Sequence, residues 1–140
     1  MDIPKQFADA MTEHALEETP NECCGLLAGK DGEVHKHYRI TNADKSPYRY
    51  SMDSKELLMA YNEIDDNGWE IQVIYHSHTH SKAYPSDTDV RLATWSDSLY
   101  LLLSLAEPDE KGQLARKDPP ELRIFKITDG NVAEESVVIT

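Results

Sequence analysis

The segment Leu99–Leu105 is apolar at almost every position and reads as a strand buried on both faces. A sheet built around it must be covered on two sides, so the rest of the chain has to supply amphipathic elements. Residues 4–18 carry Phe7, Met11 and Ala15 at helical spacing and stop at Thr19-Pro20. A second helix is capped by Asp53 or Ser54, is expected to bury Leu57, Leu58, Tyr61 and Ile64, and ends at Asn67-Gly68. A third, short helix starts at Pro85-Ser86 and runs through Val90, Leu92 and Ala93.

Strand signals lie between these helices. Cys23–Ala28, closed by Gly29 and the turn Lys30-Asp31-Gly32, pairs with Val34–Ile40 in a hairpin. Residues 42–52 read as a loop ending in a short strand through Tyr48 and Tyr50. Trp69–His76 is a strand that runs straight into His76-Ser77-His78-Thr79-His80. Residues 107–121, polar and rich in proline, are expected to form a mobile surface loop. Leu122–Ile127 and Val132–Ile139 make a closing hairpin. Three helices among about six strands predict a mixed α/β sandwich, and 140 residues fit a single domain spanning 1–140.

Charge narrows the partners. Against 14 Lys and Arg stand 26 Asp and Glu, a net charge of −12, which repels nucleic acid and anionic membranes. No secretory signal opens the chain and no apolar run is long enough for a membrane span, so a cytoplasmic protein is expected. The neighbouring Cys23 and Cys24 offer neither a disulfide framework nor a zinc pair; they read as reduced, buried residues on opposite faces of a strand.

His76 and His78 carry the chemistry. Two residues apart on a strand, they share a face with Cα atoms about 6.5 Å apart, within reach of one metal. Asp89, at the start of the third helix, can be folded back toward them. Two imidazoles and one carboxylate suit Zn2+ and leave a position open, which favours catalysis over a closed structural site. Glu22, at the start of the first hairpin strand, is the candidate general base and acid. Ser86 is the candidate donor to an oxygen that gains charge in the reaction.

Several of these residues have plainer roles. Ser86 and Asp89 also form a helix-capping pattern, and the two roles are compatible for Ser86. His80 is expected in a loop or outer-shell position. His35 and His37 are expected on a solvated sheet face, Trp69, Trp95, Tyr48 and Tyr50 in the core or at its rim, and Tyr84 is a weaker candidate for lining the cleft.

Taken together, Glu22, His76-Ser77-His78, the seven residues Thr79 to Pro85, Ser86 and Asp89 resemble the JAMM (MPN+) metalloprotease motif at every spacing. Gly25-Leu26-Leu27 and Pro85-Ser86 match the family's flanking pattern, while Thr79 stands where proline is common. The resemblance implies a fold like that of the cytidine deaminases, a mixed sheet sandwiched by helices. It also implies a zinc-dependent peptidase or isopeptidase acting after the C-terminal Gly-Gly of a ubiquitin-like or sulfur-carrier protein, like the small bacterial and archaeal members. The competing readings are a metal-dependent amidase for small molecules and a non-catalytic scaffold.

Overall fold

In a computed structural model describing residues 1–140, the elements run β1 (Asp2–Ile3), α1 (Lys5–Glu18), β2 (Cys24–Lys30), β3 (Glu33–Ile40), α2 (Ser54–Asp66), β4 (Glu70–His78), α3 (Asp87–Leu92), β5 (Leu99–Pro108), β6 (Leu114–Thr128), β7 (Asn131–Glu135) and β8 (Val138–Ile139). Six strands form one sheet in the order β3-β2-β4-β5-β6-β7, in which only β4 and β5 are parallel. The short β1 and β8 pair separately. No helix is long and apolar enough to cross a membrane.

Side-chain alternation along the central strands creates two layers. On one face Leu27, Val73, Tyr75, Leu101 and Leu103 pack against Ala8, Met11 and Ala15 of α1. On the other, Leu26, Ile74, Tyr100 and Leu102 meet Ala60 and Ile64 of α2 and Val90 of α3. Cys23 and Cys24 are buried, free, and divided between the two layers as their adjacency requires. The mixed α/β sandwich expected from the sequence is therefore the observed architecture.

Three local expectations need correction. Residues 107–121 are largely strand: β5 and β6 extend past the core as a two-stranded arm, with Ala106 opposite Arg116, Glu107 opposite Ala115 and Pro108 opposite Leu114. The arm covers no core, so it shows no apolar alternation. Pro119 and Pro120 fall where the register jumps between Glu121 and Arg116, a bulge that tolerates them. In α2, Leu58 and Tyr61 are 59% and 51% exposed, because the inward stripe runs through Leu57, Ala60 and Ile64 and the small Ala60 brings the helix close to the sheet. The loop 42–52 forms only an Asn42–Met52 bridge and no strand through Tyr48 and Tyr50.

His37 is a fourth correction, and His14 is its counterpart in α1. His35 is exposed and stacks on Trp69 as a surface residue would, but His37 Nε2 lies 2.7 Å from the Tyr75 hydroxyl, which also meets His14 Nδ1 at 2.6 Å. Tyr75 reaches both histidines by crossing β2 at Gly25, where a Cβ would overlap the Tyr75 ring and the Tyr38 carbonyl. Gly25→Ala is expected to cost about 3 kcal/mol in denaturant unfolding through this overpacking; an unchanged midpoint would refute the close approach.

Burial, reinforced by the Arg39 charge, pushes His14 and His37 down from 6.5 to about 4, so the folded protein holds both neutral. An unfolded chain takes up those protons near pH 6.5. Their contribution to stability is thus full above pH 6.5 and drains away as pH falls toward 4. Unfolding midpoints measured across that window should fall, and the slope should flatten in a His14→Gln/His37→Gln variant; an unaltered slope would show that other groups control it.

Candidate metal centre

The end of β4 is where the sheet opens. Its pairing with β2 stops at Cys24–His76, while pairing with β5 continues to His78–Ser104. His76 and His78 therefore project on the α2/α3 side of the sheet from a strand still held along one edge. The Ser104 hydroxyl donates to the Ser81 carbonyl at 2.6 Å, securing the loop that follows.

The two Nε2 atoms are 3.2 Å apart, and Asp89 Oδ2 is 3.1 Å from His76 Nε2 and 3.0 Å from His78 Nε2. A tetrahedral ion with bonds of about 2.0–2.1 Å would have its ligand atoms about 3.3–3.4 Å apart. His78 Nδ1 donates to the Lys82 carbonyl at 2.8 Å, which in the neutral ring leaves Nε2 as a bare lone pair. Bare nitrogen and carboxylate oxygen this close repel each other unless positive charge lies among them. The donor set fits a divalent cation, and these residues form a compatible metal site.

Asp89 is aimed by the start of α3. Ser86 Oγ accepts from the Asp89 N–H at 3.0 Å, and Asp89 Oδ2 accepts from the Ser86 N–H at 2.9 Å, a complete capping box. The oxygen that faces the histidines is thus fixed by the same hydrogen bond that starts the helix. Ser86 itself is exposed, and its hydroxyl proton is uncommitted because Oγ serves here as acceptor.

The electrostatics follow from burial and crowding. Burial lowers the pKa of His76 despite the nearby Asp89. For His78, burial acts in the same direction but is outweighed by Asp89 and the Lys82 carbonyl, so its pKa rises. Asp89 stays far below the usual carboxylate range: burial opposes its charge, but the two imidazoles overcome that. Glu22, 4% exposed, is pushed up to about 8 by burial; the His78 charge lowers it and the Asp89 charge raises it. Its Oε1 has no hydrogen-bond partner. A carboxyl that exchanges its proton near neutrality suits acid and base work alike.

The other sequence candidates lie around this group. His80 Nδ1 faces Thr79 Oγ1 at 2.8 Å and its ring packs near Tyr48, outside the three-donor cluster. Tyr84 rests edge-on against Phe125. The aromatic wall of the site is instead the half-buried Tyr50, stacked on His76 with ring centroids 4.4 Å apart. Nothing in the pattern around Tyr50 distinguished it, because a loop of no regular period brings it there. Zinc titrated into the protein is expected to bind at one ion per chain. His78→Ala should weaken that binding beyond the about 10–100-fold typical of losing an outer-shell partner; calorimetry showing equal affinity would exclude His78 as a ligand.

Comparison with known proteins agrees with this geometry. The "CysO-cysteine peptidase" of Mycobacterium tuberculosis is 42% identical over 137 residues, covering 96% of this chain and 88% of that protein. A solution structure of a Desulfitobacterium hafniense protein is 34% identical and superposes with a TM-score of 0.80 over 100% of this chain and 93% of the other. A JAB1/MPN domain protein from Archaeoglobus fulgidus, 19% identical, shares the fold with a TM-score of 0.59 over 99% of each chain. Residues 4–116 match the Prok-JAB family, and the chain belongs to that family, the prokaryotic homologs of the JAB domain.

Proposed function

We propose that residues 1–140 act as one catalytic domain, a zinc-dependent peptidase that hydrolyses the amide bond after the C-terminal Gly-Gly of a ubiquitin-like or sulfur-carrier protein. The observation that carries this reading is the convergence of His76 Nε2, His78 Nε2 and Asp89 Oδ2, a three-donor set that leaves a coordination position free for catalysis. The relative named for a peptidase acting on CysO-cysteine supports the choice of substrate. Cytoplasmic residence fits the two free thiols, which stay reduced there.

His76, His78 and Asp89 would hold a zinc ion, which would supply Lewis acidity toward water and a carbonyl when bound. The chain's own groups do the rest. Glu22 takes a proton from the attacking water on Oε1, which no other group occupies, and delivers it to the departing nitrogen so that the amine leaves neutral. Its elevated pKa makes both transfers feasible near neutral pH. Ser86, held at the N-cap, turns its free hydroxyl proton toward the carbonyl oxygen as charge builds there. Tyr50 stacks on His76 and shields that side of the site from water. A Gly-Gly tail, having no side chains, can lie against the protein backbone beside the site.

The test is cleavage of a Gly-Gly-tailed carrier bearing a C-terminal amino acid or an isopeptide-linked lysine, followed by mass spectrometry. The zinc-loaded protein should release the carrier. Glu22→Gln should keep the metal and lose turnover, and Ser86→Ala should be slower by about a hundredfold. Turnover of small amides alone would favour a small-molecule amidase, and a protein that binds no zinc would favour a scaffold.

A further inference from the structure

Glu22 is aimed by its main chain. Its buried Oε1 has no partner, whereas the N–H and carbonyl of both Glu22 and Cys23 are held. The Glu22 N–H donates to the Ser46 carbonyl at 2.9 Å, the Glu22 carbonyl accepts from Asn42 Nδ2 at 3.0 Å, and the Cys23 N–H donates to Ser77 Oγ at 2.8 Å.

The Ser77 contact ends the β2–β4 ladder in an unusual way. The Ser77 N–H donates to the Cys23 carbonyl at 3.0 Å, as an antiparallel rung requires, but the return bond from the Cys23 N–H goes to the Ser77 hydroxyl instead of its carbonyl. The chain before Cys23 is thereby released from strand geometry while still tied to the residue between the two histidines. Fully buried Ser77 faces away from the metal side, so this tie does not compete with the ligands.

Asn42 makes the second tie and uses all its hydrogen-bonding capacity. Nδ2 donates to the carbonyls of Glu22 and Arg49, while Oδ1 accepts from the amides of Asp44 at 3.0 Å and Ser51 at 3.1 Å. One buried amide thus joins Glu22 to the loop that carries Tyr50 onto His76.

We infer that Asn42 and Ser77 are positioning residues that clamp the Glu22 backbone and so set where its carboxyl points, an inference that rests on Glu22 being the general base. Asn42→Asp keeps acceptors for Asp44 and Ser51 but removes the donor to Glu22. Ser77→Ala removes the Cys23 contact, and Ser77→Thr retains a hydroxyl. In the zinc-loaded enzyme acting on a Gly-Gly carrier adduct, Asn42→Asp and Ser77→Ala should each lower kcat by about tenfold to a hundredfold, with KM within about twofold. Zinc content should be unchanged, and Ser77→Thr should recover most of the rate. Amide exchange measured without substrate should speed up at Glu22 in Asn42→Asp and at Cys23 in Ser77→Ala, by about tenfold or more.

Faster exchange with unchanged kcat would overturn the inference, as would kcat and zinc content falling together. If one variant fails to fold, the other decides the matter by the same criteria. Full turnover by Glu22→Gln would instead remove the base assignment itself, an outcome separable from failure of the clamp.

Discussion

Three donor atoms, each better solvated in water, are gathered within 3.2 Å of one another at a buried strand end, and the surrounding structure is arranged to keep them there. Left alone, such a group would spread apart or protonate. Each donor is instead restrained from behind. His78 is oriented by the Lys82 carbonyl, Asp89 by the Ser86 amide, and His76 by the Tyr50 ring and by strand pairing on both sides. The restraint costs free energy that a bound cation would offset, which is why the arrangement makes physical sense as a metal site.

The parity of β4 divides the work of the strand between its faces. Ile74, His76 and His78 look toward α2 and α3, while Val73, Tyr75 and Ser77 look toward α1. A slip of one residue would exchange the faces, burying Tyr75 in the metal site and pointing both imidazoles at the α1 core. The register is therefore fixed redundantly. Tyr75 is wedged over Gly25 and bonded to His14 and His37, and Ser77 makes paired contacts with Cys23. Stability on the α1 side and geometry on the metal side are two consequences of one alignment.

Much of this was legible because strong local signals coincide with the parts that matter. His-x-His at the end of an apolar run states its own geometry, since strand parity alone puts both rings on one face. Pro85-Ser86 followed by Asp89 announces a helix start, and that start is what aims the carboxylate. The Gly25-Leu26-Leu27 segment matches the family pattern, and the structure gives the physical reason for its glycine. The misreadings arose where local composition and tertiary role part company. The polar arm at 107–121 is strand because strand pairing can proceed without a core beneath it. His37 resembles its exposed neighbour His35 in sequence, and the Tyr75 hydroxyl arriving from another strand gives this half-buried residue an internal partner. Tyr50 and Asn42 act through an irregular loop, and no periodicity reports on such placements.

Glu22 shows why a site of this kind needs loop residues as well as ligands. In the proposed role of general base, a Glu22 that tied up its carboxyl in hydrogen bonds would be held well but would be a weaker base, because each donor stabilises the charged form. Burial with Oε1 unpartnered goes with a pKa raised to about 8 but gives up a hydrogen bond that could orient the group. Moving the restraint to the backbone resolves that conflict: the bonds to Ser46, Asn42 and Ser77 fix the direction in which the side chain leaves the chain without touching the atom that carries the proton. Proton affinity and position are then set by different groups, so either can change without the other. Asp89 is the contrasting case: the Ser86 N–H that sets the position of Oδ2 also helps the two imidazoles keep the carboxyl charged.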